Sequence, residues 1–230
     1  MNQINSQSMA SNCIDRHGKN IFAVVLLLSV SALWQPAHAW ERESSDGGVA
    51  LFSRAVPGSD LDGLRAEIVV NAGLSTVLTV LRRIQEFPRF MPGMVRSEIL
   101  ESYEDTASST SSLTYQRLTF RLLEDRDVVL KSSLRPLDST GLRGWRIDFW
   151  SVTGKGPPSP SGVIRIKHLR GGWTLIPLDG GESTRVVYQR HIDLGGSVPD
   201  WLVNRGARKS MRKTLLNLNA YCQEANRKLH

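Results

Sequence analysis

Residues 195–222 read GGSVPDWLVNRGARKSMRKTLLNLNAYC, and how this stretch is read decides the fold. A double glycine ends a long run of strand-like sequence. Ser197 is placed to cap a helix, and Pro199 and Asp200 suit its first turn, where a missing N–H is harmless and negative charge is favoured. At about 100° per residue, Val203, Ala207, Met211, Leu215, Leu218, Tyr221 and Cys222 fall in one stripe roughly 120° wide. Arg205, Arg208, Lys209, Arg212 and Lys213 fall on the other side. The sequence predicts one long helix, with one face that needs apolar cover and one that suits water or anions.

Upstream of this helix, Met94 to Leu194 read as strands. The segments are Val95 to Tyr103, Ser112 to Leu122, Arg126 to Pro136, Gly144 to Thr153, Gly162 to Leu178 and Thr184 to Asp193, separated by SYEDTASST, LDSTG, GKGPPSPSG and LDGGE. Short connections suit antiparallel neighbours. Trp145, Ile147 and Phe149 alternate with Arg146, Asp148 and Trp150. Val186, Tyr188, Arg190 and Ile192 alternate with Val187, Gln189, His191 and Asp193. One face of the sheet is therefore dry and the other largely wet. Further upstream, Val49 to Arg54 and Leu61 to Val70 predict a hairpin about a Pro-Gly turn. Leu74, Val77, Leu78, Leu81 and Ile84 recur at helical spacing. The following EFPRFMPGM is too rich in proline to continue that helix, and its Phe87, Phe90 and Met91 suit either an apolar cover or a core edge. Trp40 to Gly48 reads as a polar segment with a helical turn anchored by Trp40.

The first 39 residues read as an export leader. Arg16 and Lys19 precede the apolar run IFAVVLLLSVSAL, and Ala37, His38 and Ala39 follow Pro36 as a small-x-small triplet. Cleavage is expected after Ala39, leaving one domain over residues 40–228 in the periplasm or beyond; an uncleaved anchor is the alternative. No cysteine follows the run to accept a lipid. The formal net charge of +7 falls to +6 when Asp15, Arg16 and Lys19 leave with the leader, a balance that favours anionic surfaces. Only Cys222 remains, on the apolar face of the last helix, so no internal disulfide is possible.

Two helices cannot cover about eight long strands by flat stacking. A strongly curved antiparallel sheet wrapped around the C-terminal helix solves the problem and gives an α+β class. Such a grip readily encloses an apolar cavity, filled either by side chains or by a ligand.

These pieces, in their order, resemble a bacterial START-domain protein of the Bet v 1-like helix-grip superfamily, which includes polyketide cyclases and lipid-transfer proteins. The resemblance runs from VALFSRAVPGSDLDGLRAE (Val49 to Glu67) through FPRFMPGM (Phe87 to Met94), EDRDVVL (Glu124 to Leu130), GGWTLIPL (Gly171 to Leu178) and TRVVYQRHIDLGGSVPDWLVN (Thr184 to Asn204) into the terminal helix. It implies a tunnel for one hydrophobic molecule, closed by the helix and a neighbouring loop acting as a lid. Gly195 and Gly196 then supply either a hinge or an ordinary strand-to-helix turn. The loop from Thr153 to Gly162 is either the rim or a plain crossover. The resemblance also makes Arg126 and Asp127 candidates to meet a ligand head group, the alternative being an ion-paired strand start.

Arg190, on the strand face of Tyr188, is a second cation placed to meet a carboxylate or phosphate, or else an exposed charge. Trp173, Tyr188, Trp201, Met211 and Leu215 are expected in the apolar wall, or as ordinary core. Arg205, Arg208, Lys209, Arg212 and Lys213 either dock on anionic lipid head groups or form a solvated face. His168, His191 and His230 have no metal-ligand spacing, and neither a G-x-S-x-G elbow nor a glycine-rich phosphate loop is present. No metal, cofactor or catalytic residue is predicted. The cations are not interleaved with aromatics, which disfavours nucleic acid.

The reading that unites these features is an exported, monomeric, non-enzymatic lipid-binding or lipid-transfer module. The alternatives are a cyclase- or hydrolase-type enzyme on the same fold and an envelope interaction protein with a collapsed pocket.

Overall fold

β-Branched and aromatic residues in period-two alternation fill most of the chain between Glu41 and Asp193, and they assemble into one ten-stranded sheet. The computed structural model describes residues 39–106, 109–121, 123–137 and 143–227. The expected leader, Ala39 apart, lies outside the described residues, as do most of the LDSTG turn and His230. The elements are β1 (Glu41–Asp46), β2 (Val49–Val56), β3 (Ser59–Val70), α1 (Leu74–Arg82), a 3₁₀ turn (Ile84–Arg89), β4 (Met94–Thr106), β5 (Ser109–Leu118), β6 (Asp125–Pro136), β7 (Trp145–Ser151), β8 (Val163–Arg165), β9 (His168–Leu178), β10 (Ser183–Asp193) and α2 (Asp200–Arg227). The strand order is β1-β2-β3-β10-β9-β7-β6-β5-β4, antiparallel at every step, with β8 beside β6 in parallel. The sheet is open, and α2 grips its inner face.

Three expectations are corrected. The segment after Trp40 is strand β1 rather than a helical turn. Asp46 pairs with Val49, and Gly47 and Gly48 adopt φ of +60° and +78°, a two-residue turn that matches strand twist. The single strand expected over Gly162 to Leu178 is two. β7 pairs with β6 only from Leu130 onward, and β8 fills the free flank by aligning Asp125, Arg126 and Asp127 with Val163, Ile164 and Arg165. Finally, α2 starts at Asp200, because the Pro199 carbonyl accepts the first helical bonds from the Leu202 and Val203 amides at 2.9 and 3.2 Å. Ser197 stays outside the helix, beyond the left-handed Gly195 and Gly196 (φ +65° and +75°).

The α2 stripe forms as its periodicity predicts. Val203, Met211, Leu215, Leu218 and Cys222 are buried, together with Thr214. Below Val203 they join Val77, Val80 and Leu81 of α1 and the inward residues of β2 and β3 in the main core. Burial pushes the Cys222 thiol up to about 12, so it behaves as a small apolar group. Polar anchors fix the helix to the first strands. Asn204 accepts from the Asp62 amide at 3.0 Å, Arg208 pairs with Glu43 and Asp62 at 2.7 Å each, and Asn219 accepts from the Asn71 amide at 3.1 Å.

Gly171 lies at the centre of β9 where its neighbours come closest. A Cβ there would sit 2.4 Å from the Gln189 carbonyl oxygen and 2.5 Å from the Phe149 ring. The missing side chain lets Phe149 fold over the strand on the inner face.

Candidate ligand-binding site

α2 packs over β2 and β3, so the inner face of β5, β6, β7 and β9 is left for other elements to cover. α1, the 3₁₀ turn and the segment just after it supply the cover through Leu81, Ile84, Phe87 and Met91. Between them and the sheet lies a chamber of about 70 Å³. Its wall is set by strand alternation: Trp173 from β9, Tyr188 from β10, Ile147 and Phe149 from β7, and Val128 and Leu130 from β6. Trp173 and Tyr188 are register partners and stack with ring centroids 3.9 Å apart. Phe87 and Met91 thus close the chamber, whereas Phe90 is buried in the core against Phe87 and Tyr221.

Four polar side chains reach this apolar wall. Arg190 follows Tyr188 on the inner face of β10, Thr114 and Gln116 project from β5, and Ser132 projects from β6. Among the described residues Arg190 forms no ion pair, and its Nε is buried without a hydrogen-bond partner. The guanidinium lies 5.9 Å from the centre of the Tyr188 ring.

A groove of about 410 Å³ runs outward from the same region, between Gly93, Phe120, Leu194 and Val198 on one side and the first turns of α2 on the other. Gly206, Ala207 and Ser210 keep that side of the helix low. Leu118, Arg190 and Ile192 line both the chamber and the groove, so Arg190 stands where the two meet.

Residues 70–219 match the family model described as polyketide cyclase/dehydrase and lipid transport. The chain belongs to this family. A STAR-related lipid transfer protein fragment from Xanthomonas axonopodis superposes with a TM-score of 0.67 at 28% identity, over 80% of this chain and 98% of that one. An uncharacterised protein of Pseudomonas aeruginosa is 24% identical over 190 residues, 82% of this chain and 89% of its own. The phosphatidylcholine transfer protein of Rattus norvegicus is 29% identical over 106 residues, which span 46% of this chain and 49% of the rat protein.

Within this member of the family, Arg190 and the five residues expected in the apolar wall separate into three groups. Trp173, Tyr188 and Arg190 line the chamber. Met211 and Leu215 are fully buried but belong to the core beneath α2 rather than to the chamber wall, because α2 sits over β2 and β3. Trp201 does not point inward: it is 66% exposed, since it lies about 100° from the centre of the buried stripe.

Arg126 and Asp127 are also corrected, as neither faces the chamber or the groove. Arg126, 1% exposed, donates from Nε to the Leu194 carbonyl at 3.1 Å, from Nη2 to the Gly195 carbonyl at 3.3 Å, and to the Glu124 carbonyl. It clamps the turn into α2. Asp127 points to the outer face, where it accepts from Arg165 at 2.7 and 3.0 Å, from Ser159 at 3.0 Å and from Tyr115 at 3.3 Å. Burial and the neighbouring carboxylate raise the Tyr115 pKa. The Arg165 guanidinium bonds onward to the Pro157 carbonyl at 2.8 Å. The loop from Thr153 to Gly162 is therefore fastened over the outer face, against Val129 and Leu100 at Gly156, and does not rim the chamber.

Of the five helix cations, Arg208 and Arg212 are engaged by β1 and β3. Arg208 is held by Glu43 and Asp62, and Arg212 donates to Ser44 at 2.6 Å and lies 3.7 Å from Asp46. Arg205, Lys209 and Lys213 are exposed. Thr114, Gln116 and Phe149 were not singled out from the sequence. Phe149 carried an inward signal in the alternation of β7, but Thr114 and Gln116 carried none, being polar residues on a face whose direction alternation left open. Among the described residues no three His, Cys, Asp or Glu side chains gather where a metal could be held.

Proposed function

We propose that this protein is a non-catalytic carrier that takes a hydrophobic molecule between the sheet and α2 and exchanges it at a membrane surface. One observation carries the reading: an apolar groove leads past Arg190 into the inner face of the sheet in a chain with lipid-transfer relatives. Ligand pockets occupy about 300–1,000 Å³, a range the groove reaches and the chamber alone does not. Cargo therefore fills the groove and enlarges the chamber by displacing Phe87, Met91 or Phe149. Burying ten methylenes supplies about 8 kcal/mol before ordering costs.

Leu202 lines the groove and is exposed, as is Trp201 beside it in sequence, and Arg205, Lys209 and Lys213 are exposed farther along the helix. Aromatic and basic groups together suit an anionic membrane interface. The leader-like first 39 residues support an exchange outside the cytoplasm, in the periplasm.

A second reading, an interaction protein with a collapsed pocket, is favoured by the 70 Å³ of the chamber itself. Native mass spectrometry after gentle purification, followed by titration of the delipidated protein with a fluorescent acyl probe, separates the two. Carriage predicts a co-purifying or saturable ligand in 1:1 ratio. An empty protein that fails to bind the probe would end that reading.

A further inference from the structure

We infer that the cargo is an amphiphile with an anionic head, a carboxylate or phosphate, bound by Arg190 at the neck between chamber and groove. The inference rests on the carrier reading and names the class of molecule carried.

The cation at this neck is unusual in its isolation. Elsewhere in the described residues, cations that reach the interior are matched: Arg165 has Asp127, Arg208 has Glu43 and Asp62, and Arg126 has three carbonyls. Arg190 has only the face of Tyr188, with Nε buried and unpartnered as in Arg65 and Arg212, which unlike it have a carboxylate partner, in a wall that is mostly apolar. A guanidinium held in apolar surroundings gains most from a carboxylate or phosphate, whose oxygens match its fork in two parallel hydrogen bonds. Thr114 and Gln116 project into the same chamber, and no side-chain hydrogen bond to a described residue occupies either. They add neutral donors beside the cation. Among the described residues no carboxylate side chain lines the chamber or the groove to compete for it. The groove beyond Arg190 is lined by Phe120, Leu194, Val198 and Leu202, which suits the apolar tail. The head thus sits at the neck with the tail along the groove.

The test uses delipidated protein and four probes with matched C18:1 chains: oleate, oleoyl lysophosphatidate, oleyl alcohol and dioleoyl phosphatidylcholine. Each is measured by displacement of a fluorescent acyl probe from the wild type, Arg190→Gln, Arg190→Lys and Gln116→Leu, with thermal unfolding to show that each variant folds. The wild type should bind oleate or lysophosphatidate at least tenfold more tightly than the alcohol. Whichever acid gains more identifies the head as carboxylate or phosphate. Arg190→Gln should abolish the preference, Arg190→Lys should keep part of it, and Gln116→Leu should weaken it several-fold. Equal binding of acid and alcohol, tighter binding of phosphatidylcholine than of either acid, or a preference that survives in Arg190→Gln overturns the inference and leaves carriage standing. Binding of none of the four overturns both.

Discussion

Trp173 and Tyr188 face each other directly across β9 and β10, with rings 3.9 Å apart between centroids and within 8° of parallel. Both are 2% exposed. The pair forms the floor of the chamber, so its loss removes packing and wall together. Trp173→Ala is expected to cost about 3–5 kcal/mol in urea unfolding. A double-mutant cycle with Tyr188→Ala should show coupling of about 0.5–1.5 kcal/mol, and additive losses would show that the stack contributes nothing beyond burial.

Arg126 and Asp127 adjoin in sequence but secure opposite faces of β6. Arg126→Met leaves the Leu194 and Gly195 carbonyls without their donor and should destabilise by about 3 kcal/mol, with new protease cleavage near Gly195. Asp127→Asn breaks the pair with Arg165 and should cost a similar amount, about 3 kcal/mol, with cleavage in the loop from Thr153 to Gly162 instead. Identical cleavage maps for the two variants would contradict the separation of their roles.

His191 receives a 3.1 Å contact from the Ser59 hydroxyl, and burial, the largest influence, lowers its pKa from the ordinary value near 6.5. A lowered histidine pKa means that the unfolded chain takes up its proton first as the solution is acidified. Stability is therefore full above about pH 6.5 and falls between that value and the folded-state pKa, below which the loss is constant. His191→Gln should flatten this part of the profile. Chemical denaturation at pH 7.5, 6.5 and 5.5 checks it, and parallel curves for wild type and variant would exclude His191 as the source.

Trp201 is 66% exposed at the first turn of α2, and Leu202 beside it is 39% exposed. Trp201→Ala should reduce sedimentation with vesicles containing anionic lipid by about tenfold or less while leaving the unfolding midpoint unchanged. Charge reversal at Lys209 and Lys213 should do likewise, with binding that weakens as salt rises. Arg208→Glu should instead lower stability, because Arg208 is already paired with Glu43 and Asp62. Vesicle binding that survives all of these substitutions places the membrane contact elsewhere.

Much of the fold is legible in local pattern. The stripe from Val203 to Cys222 marks the face of α2 that is buried, and the alternation of β7 and β10 marks Phe149, Tyr188 and Arg190 as inward. β5 shows where such reading stops. Its apolar residues Leu113 and Tyr115 are buried on the outer face with Val129, Leu100 and Val152, while the polar Thr114 and Gln116 face the chamber. Alternation separates the two sets without saying which one faces α2.

By itself the sequence determined most of the elements, though neither β1 nor the split between β8 and β9, along with the antiparallel hairpins and the amphipathic helix, because backbone geometry ties these to spacings of two and of three to four residues. The tertiary structure alone decided that Asp127 serves the outer face and that Arg190 is left without an ion-pair partner among the described residues. Those outcomes depend on groups far apart in the chain, Arg165 for Asp127 and the sweep of α2 over β2 and β3 for Arg190. No local spacing encodes such distances.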